Sequence, residues 1–140
     1  MPSRRFTHHV ADLLTTTTTI AVVGLSPKPE RPSNQVAVYL LEQGYTVIPV
    51  NPGHETILGR PCYPDLYAIP VAVDIVNIFL RPERIGPVVK AAVAIKAKAV
   101  WMQLGIVDEV AAQLAEGAGL QVIMDRCLKI EHQNYLNPAK

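Results

Sequence analysis

Ile20-Ala21-Val22-Val23-Gly24 is the stretch that decides the fold, because it is apolar at every position and ends in glycine. A strand that is covered on only one face alternates apolar and polar residues, whereas a strand buried on both faces is apolar throughout. A loop rich in proline and charge follows at 25–32. Ser33 is predicted to cap a helix that runs to about Gln43 and stops at Gly44. The stretch therefore predicts a central strand of a parallel sheet.

The same cycle of apolar run and helical segment repeats along the chain. Four further strands are predicted at Thr46–Val50, Val73–Phe79, Ala99–Gln103 and Leu120–Met124. Helices are predicted at 82–96 and 108–117, and the chain between strands two and three is predicted to be irregular at 59–64 with a short helix at 65–69. This alternation predicts an α/β, Rossmann-like, doubly wound five-stranded parallel sheet of order 3-2-1-4-5 with helices on both faces. With 140 residues, the chain is predicted to form one domain over 1–140.

A short helical opening at 10–14 precedes the first strand, and the threonines at 15–19 are predicted to be extended, because β-branched residues suit that conformation. We expect no secretory signal and no transit peptide in front of it.

Composition excludes several classes of partner. A net charge of +1 and an aromatic content of 6% give no basic field and no stacking surface for nucleic acid. The most apolar segment, 69–80, is interrupted by Pro70 and Asp74 and is shorter than the about 20 residues that a membrane span requires. Two cysteines, Cys62 and Cys127, lie far apart without metal-ligand spacing. We therefore expect a cytoplasmic protein with reduced thiols, no metal, no nucleic-acid partner and no membrane partner, and the oligomeric state stays open.

The loop after strand one carries the strongest candidate for ligand binding. Parallel sheets of this kind bind ligands beyond the carboxyl ends of their strands, at the point where strand order reverses, which the predicted order places between strands one and four. Beyond Gly24 the loop supplies Ser26, Pro27, Lys28 and Arg31, and then the helix start at Ser33. Lysine and arginine pair with phosphate, and a helix N-terminus favours an anion. The alternative is an ordinary prolyl loop with solvated charges.

The loops after the other strands add candidates at the same end of the sheet. Asn51 and Pro52 follow strand two, and Gln103 follows strand four. After strand three, Phe79 and Leu80 are candidates to flank an adenine ring and Arg81 to stack or to pair with phosphate, although Phe79 fits a core position equally well.

Two departures count against a dinucleotide site. The G-x-G-x-x-G pattern would require glycine at 26 and 29, where Ser26 and Pro29 stand. Strand two also ends in Asn51 rather than in the acidic residue that holds a ribose diol. Binding of NAD(P) is therefore kept only as an alternative.

A second alternative is an enzyme acting on a CoA thioester. Cys127 lies between Arg126 and Lys129 in sequence, and His132 follows on the same segment. A Cys127–His132 nucleophilic pair is conceivable, but a structural hydrogen-bonding role for His132 is favoured, and no catalytic residue is assigned.

Several motifs in order carry a family resemblance. They are the stretches 24–31, 49–52, 74–83 and 100–105, and Asp125-Arg126-Cys127 with Glu131-His132. Together they resemble the small stand-alone CoA-binding proteins of bacteria and archaea, which are related to the N-terminal domain of the succinyl-CoA synthetase α subunit.

The resemblance implies a Rossmann-like domain that binds coenzyme A or an acyl-CoA across the carboxyl ends of its strands. It implies nucleotide contacts at Gly24, Ser26, 28–31, Asn51, Pro52 and 79–81, with Phe-Leu-Arg-Pro standing where the synthetase has Val-Pro-Pro. It does not imply ligase activity, which in the synthetase requires a phosphorylated histidine on a second domain and a partner subunit. The expected function is that of a carrier, sensor or regulatory module without evident catalysis of its own.

Overall fold

The computed structural model describes residues 10–136, so the predicted domain over 1–140 extends beyond the described residues at both ends. The main sheet consists of five parallel strands in the order β2-β1-β5-β6-β7. These strands are β1 (Thr19–Val23), β2 (Thr46–Val50), β5 (Ile75–Ile78), β6 (Ala99–Met102) and β7 (Gln121–Ile123). A short antiparallel hairpin, β3 (Thr56–Ile57) with β4 (Arg60–Pro61), lies between β2 and β5.

Helices cover both faces of the sheet. They are α1, of which 10–16 is described, α2 (Pro32–Glu42), α3 (Ile85–Ala94), α4 (Glu109–Gly117) and α5 (Leu128–Leu136), and short 3₁₀ turns occur at Leu66–Ala68 and Pro82–Arg84. One core joins α3 and α4 to the sheet through side chains such as Val76 and Val100. The other joins α1, α2 and α5 to the opposite face, with Trp101 fully buried. The predicted Rossmann-like class is confirmed.

The neighbour order of the strands corrects the prediction of 3-2-1-4-5. The third strand of the main sheet, β5, pairs directly with β1, so in chain order the sheet reads 2-1-3-4-5. The reason lies on the outer side of β2, where Tyr63 occupies the place expected for strand three. Its N–H donates to the carbonyl of Pro49 at 3.0 Å, and its carbonyl accepts from Asn51 N at 2.9 Å. Strand order therefore reverses between β1 and β5, not between strands one and four.

Local structure departs from the sequence prediction at the threonine tract. The helix continues through residue 16, and the threonine hydroxyls donate back to carbonyls one turn earlier, from Thr15 to Ala11 at 2.7 Å and from Thr16 to Asp12 at 2.9 Å. The first part of the segment predicted to be irregular at 59–64 belongs to the β3–β4 hairpin. Its turn places Leu58 at φ 55° and Gly59 at φ 71°, the left-handed pair typical of a tight hairpin.

The start of α2 also differs from the prediction. The N-cap is Arg31, which makes no side-chain cap, and Pro32 is the first helical residue. Ser33 lies inside the first turn, and its hydroxyl accepts instead from the backbone N–H of Ser26 at 3.0 Å. Within residues 10–136, no helix is long and apolar enough to cross a bilayer.

Candidate functional site

The carboxyl ends of three strands converge at Gly24. Its N–H donates to the carbonyl of Val50 at 2.9 Å, while Phe79 N donates to Val23 O at 2.9 Å. Gly24 has φ +87°, and a methyl group in place of its hydrogen would collide with the carbonyl oxygen of Phe79 and lie 3.1 Å from Leu80 Cδ2. Only glycine allows the loops after β1 and β5 to approach this closely.

Two open clefts flank this junction, and Leu80 lines both. Groove one, about 530 Å³, lies on the α3 side and is lined by Val23, Gly24, Val50, Asn51, Pro52, Pro64, Asp65, Leu66, Tyr67, Leu80, Glu83, Arg84, Pro87, Val88 and Ala91. Groove two, about 790 Å³, lies between the starts of α2 and α5 and is lined by Pro32, Gln35, Val36, Phe79, Leu80, Arg81, Gln103, Leu104, Ile106, Cys127, Lys129, Ile130 and Gln133. An elongated ligand can therefore cross the sheet from one groove to the other.

The loop after β1 is braced by its own polar groups. The carbonyl of Ser26 accepts from the Asn34 side-chain amide at 2.9 Å, and the Ser26 hydroxyl accepts from Lys28 N at 3.1 Å. Ser33 Oγ, which accepts from Ser26 N, is buried behind the loop. These contacts fix the backbone and give Ser26 and Ser33 supporting roles.

The cations of this loop are oriented outward. Pro27, Lys28 and Arg31 are all exposed, and neither Lys28 nor Arg31 forms an ion pair with any residue between 10 and 136. They stand beside the start of α2, where backbone N–H groups lack helical partners. The arrangement places positive charge at the start of α2, next to Pro32, which lines groove two.

Asn51 joins the loops after β1 and β2. Its Nδ2 donates to the carbonyl of Leu25 at 3.0 Å, and its Oδ1 accepts from Gly53 N at 3.0 Å. Asn51 and Pro52 both line groove one. The amide thus holds the wall of the groove in place.

Phe79, Leu80 and Arg81 form the partition between the grooves. Phe79 is half-buried against the α1–α2–α5 core, which is the core position that its sequence allowed, and it also lines groove two. Arg81 is exposed at the mouth of groove two and precedes the 3₁₀ turn at Pro82.

Gln103 is a buried amide at the floor of groove two, with 6% of its surface exposed. Its Oε1 accepts from Asn77 Nδ2 at 3.2 Å and from Leu128 N at 3.4 Å. Because both donors hold the oxygen, the amide orientation is set, and Nε2 keeps its hydrogens without a partner among the described residues. Gln103 is therefore a pre-oriented hydrogen-bond donor.

Sequence reasoning missed Asn77, which orients Gln103. Asn77 is fully buried in β5, and its Oδ1 has no hydrogen-bond partner within the described chain. The signal was present in the sequence as one amide within an otherwise apolar strand. Tyr67 and Arg84 of groove one were missed as well, since both lie in 3₁₀ turns whose place in the fold the sequence did not reveal.

Cys127 and His132 occupy different environments. Cys127 lines groove two at the start of α5, and its thiol is half-buried. His132 is buried, and its Nδ1 lies 2.7 Å from the hydroxyl of Tyr39. Burial lowers the pKa of His132. His132 makes a hydrogen bond of the kind that the favoured structural role requires, and that role stays a prediction.

Comparison with known proteins finds a matching family model, similar sequences and similar solved structures. Residues 18–133 match a family model described as CoA binding domain. The Bacillus subtilis protein YneT is 38% identical over 123 residues, which cover 88% of this chain and 91% of that protein. A solved structure from Pyrococcus horikoshii OT3 is 42% identical with a TM-score of 0.90, covering 92% of this chain and 91% of that one. Acetate–CoA ligase (ADP-forming) I of Archaeoglobus fulgidus is 31% identical over 120 residues, which are 78% of this chain but 17% of the ligase.

Proposed function

The chain belongs to the CoA-binding domain family, and from this we propose that it binds coenzyme A or an acyl-CoA across the carboxyl end of its sheet. The observation that carries the proposal is the pair of exposed cations Lys28 and Arg31, which have no ion-pair partner within residues 10–136 and lie in the loop that leads into α2, beside groove two. Coenzyme A is a long ligand with its diphosphate between a nucleotide and a pantetheine arm, which matches this layout.

The diphosphate is assigned to the loop after β1. Lys28 and Arg31 supply two positive charges, and the start of α2 supplies the helix dipole. Since the loop backbone is fixed by Ser26, Ser33 and Asn34, little ordering would accompany binding.

Groove one suits the adenosine part. Tyr67 is 63% exposed there and offers an aromatic face for the adenine ring, while Leu80 and Val88 give an apolar floor. Arg84, exposed at the same groove, is available to a phosphate on the ribose.

Groove two suits the pantetheine arm. Its walls include Val36, Phe79 and Ile106, and Gln103 offers amide hydrogens toward it. Pantetheine is a flexible chain with carbonyl acceptors, so a fixed donor in an apolar cleft is the chemistry that would recognise it.

We propose a role as carrier, sensor or regulatory module in the cytoplasm, without catalysis of its own. In support, the imidazole of His132 is engaged by Tyr39 rather than paired with the Cys127 thiol. The region shared with the acetate–CoA ligase is 17% of that enzyme, so its activity is not carried over.

Calorimetry tests this proposal. The protein should bind coenzyme A more tightly than NAD, NADP or ATP, and Lys28→Ala with Arg31→Ala should weaken binding by about 2–4 kcal/mol, the loss of two charge-assisted contacts to phosphate. Lys90→Ala, which removes an exposed cation from α3, is the matched control and should leave affinity unchanged. Equal affinity in the double variant, or preference for NAD, would contradict the proposal.

A further inference from the structure

We propose that Cys127 is a thiol-exchange site that forms a mixed disulfide with the sulfur of coenzyme A. The inference rests on the proposed function, because it takes groove two to hold the thiol-bearing arm. It goes further in assigning a covalent, reversible modification to one named residue.

Cys127 lies at the N-terminus of α5. Its carbonyl accepts from Glu131 N at 2.9 Å, so Cys127 is the residue from which α5 begins. The thiolate of a cysteine is the form that attacks a disulfide, and it needs access to that disulfide. Cys127 is half-buried and lines groove two, the cleft proposed to hold the thiol-bearing arm.

Gln103 is an independent feature of the same place that indicates a ligand. Only 6% of the surface of Gln103 is exposed, yet its Nε2 hydrogens have no partner within residues 10–136. One of the two donors that fix its oxygen is the N–H of Leu128, the residue next to Cys127. A carbonyl accepting from Gln103 would therefore sit beside the start of α5 and bring a terminal thiol or disulfide close to Cys127.

Asn77 strengthens this argument. Burying its Oδ1 without a partner among the described residues is unfavourable, and its Nδ2 donates both to Gln103 Oε1 at 3.2 Å and to the carbonyl of Trp101 at 3.3 Å. Asn77 is thus a positioning residue, which acts on the ligand through Gln103.

The chemistry balances without an external oxidant when the co-reactant is the disulfide of coenzyme A. The Cys127 thiolate attacks one sulfur of that disulfide, a protein–CoA disulfide forms, and the sulfur–sulfur bond of the reagent breaks. The leaving CoA thiolate takes up the proton that Cys127 lost. One disulfide is exchanged for another, so there is no net oxidation.

Intact-protein mass spectrometry after incubation with CoA disulfide tests the site. The wild-type protein should gain one CoA moiety, and dithiothreitol should remove it. Cys127→Ser should gain none, whereas Cys62→Ser should react like the wild type. Cys62 is the matched control because its thiol donates to Asn51 O at 3.4 Å and burial raises its pKa. An adduct on Cys62, or an adduct that persists in Cys127→Ser, would overturn the assignment.

Oxidised glutathione distinguishes a directed site from a merely reactive thiol. Wild type should react faster with CoA disulfide than with glutathione disulfide, and Gln103→Leu should reduce the CoA rate by about fivefold, the effect of one hydrogen bond, while the glutathione rate stays constant. Equal rates for CoA disulfide and glutathione disulfide in the wild type would refute the idea that groove two brings coenzyme A to Cys127. Reduced coenzyme A should also protect Cys127, but not Cys62, from iodoacetamide.

The two levels of the proposal fail separately. Calorimetry with reduced coenzyme A on the wild type reports binding alone, so absence of heat would reject the proposed function. Binding with no adduct on Cys127 would reject only the exchange site.

Discussion

Asp74 at the amino end of the sheet and the cations Lys28 and Arg31 at its carboxyl end differ in whether the fold supplies a partner for the charge. At the amino end, the carboxylate of Asp74 accepts from Thr18 N at 2.9 Å and Thr19 N at 3.0 Å, and Lys98 Nζ lies 3.3 Å away. At the carboxyl end, Lys28 and Arg31 have no such partner among the described residues.

This contrast indicates that the charges at the amino end of the sheet stabilise the fold and that those at the carboxyl end are available to a ligand. Charges that serve the fold are paired within it, as at Asp74, because an unpaired group would cost stability. Charges left exposed beside a helix start, such as Lys28 and Arg31, cost the fold little and remain available to an anion. Variants at the amino end should therefore alter stability, and variants at the carboxyl end should alter ligand affinity.

The largest expected effect on stability comes from Gly24, which lies at the carboxyl end of the sheet but is also required by the fold. Gly24→Ala adds a methyl group against the Phe79 carbonyl at a residue with φ +87°, so both steric overlap and backbone strain oppose folding. We expect the free energy of unfolding to fall by about 2–5 kcal/mol, measured by urea denaturation.

Gly44→Ala is the matched control at the amino end. Gly44 has φ +95° but nothing within 4 Å of its missing Cβ, so only the backbone strain of about 1 kcal/mol should appear. If both variants lost the same stability, the close approach at Gly24 would not be what requires glycine.

The second effect belongs to Asp74. Burial alone would raise its pKa, but the N–H groups of Thr19 and Thr18 and the ammonium of Lys98 lower it overall. Asp74→Asn should reduce the free energy of unfolding by about 1–3 kcal/mol at pH 7, the range for hydrogen bonds to a charged group, while coenzyme A affinity stays constant.

The pH dependence of this effect has a defined sign. Because the folded pKa is lowered, the Asp74 contribution is present above the unfolded pKa of about 3.9 and is lost as pH falls through the folded value. Denaturation curves from pH 7 to pH 3 should therefore show a shallower acid loss in Asp74→Asn. Lys98→Met should cost less than Asp74→Asn, since Lys98 is more than half exposed.

The strands of this fold were predictable because burial on both faces demands an unbroken apolar run. Thr46–Val50 was predicted with the bounds that the structure has. Strand order was not predictable, since an apolar run does not identify the neighbours of a strand. The outer side of β2 is occupied by the backbone of Tyr63, a tertiary contact with no sequence period.

The candidate site divides in the same way. The cationic loop at 28–31 was predictable because residues that follow a strand in a parallel sheet reach its carboxyl end. Tyr67 and Asn77 were not, because one depends on how the chain between β2 and β5 folds back and the other on pairing with Gln103.

A crossover experiment sharpens the comparison within the carboxyl end. Tyr67→Ala should weaken binding of both coenzyme A and 3′,5′-ADP by about 1–2 kcal/mol, the range for stacking of a base on an aromatic ring. Gln103→Leu should weaken coenzyme A by about 1 kcal/mol through the lost hydrogen bond and leave 3′,5′-ADP unaffected. Calorimetry on both variants with both ligands checks these outcomes. If coenzyme A were bound with its two ends in the opposite grooves, Gln103→Leu would weaken 3′,5′-ADP and Tyr67→Ala would not.

The smallest effect is expected behind groove two, where His132 ties α5 to α2 through Tyr39. Burial lowers the pKa of the folded imidazole, so below about pH 6.5 the unfolded chain binds a proton that the folded protein does not. Stability should therefore fall as pH drops from 7 to 5, and His132→Gln should flatten that slope. His54→Gln, in an exposed loop, should retain it. A slope unchanged in His132→Gln would mean that another group controls this pH range, because a buried imidazole that titrates only on unfolding must leave a pH-dependent trace.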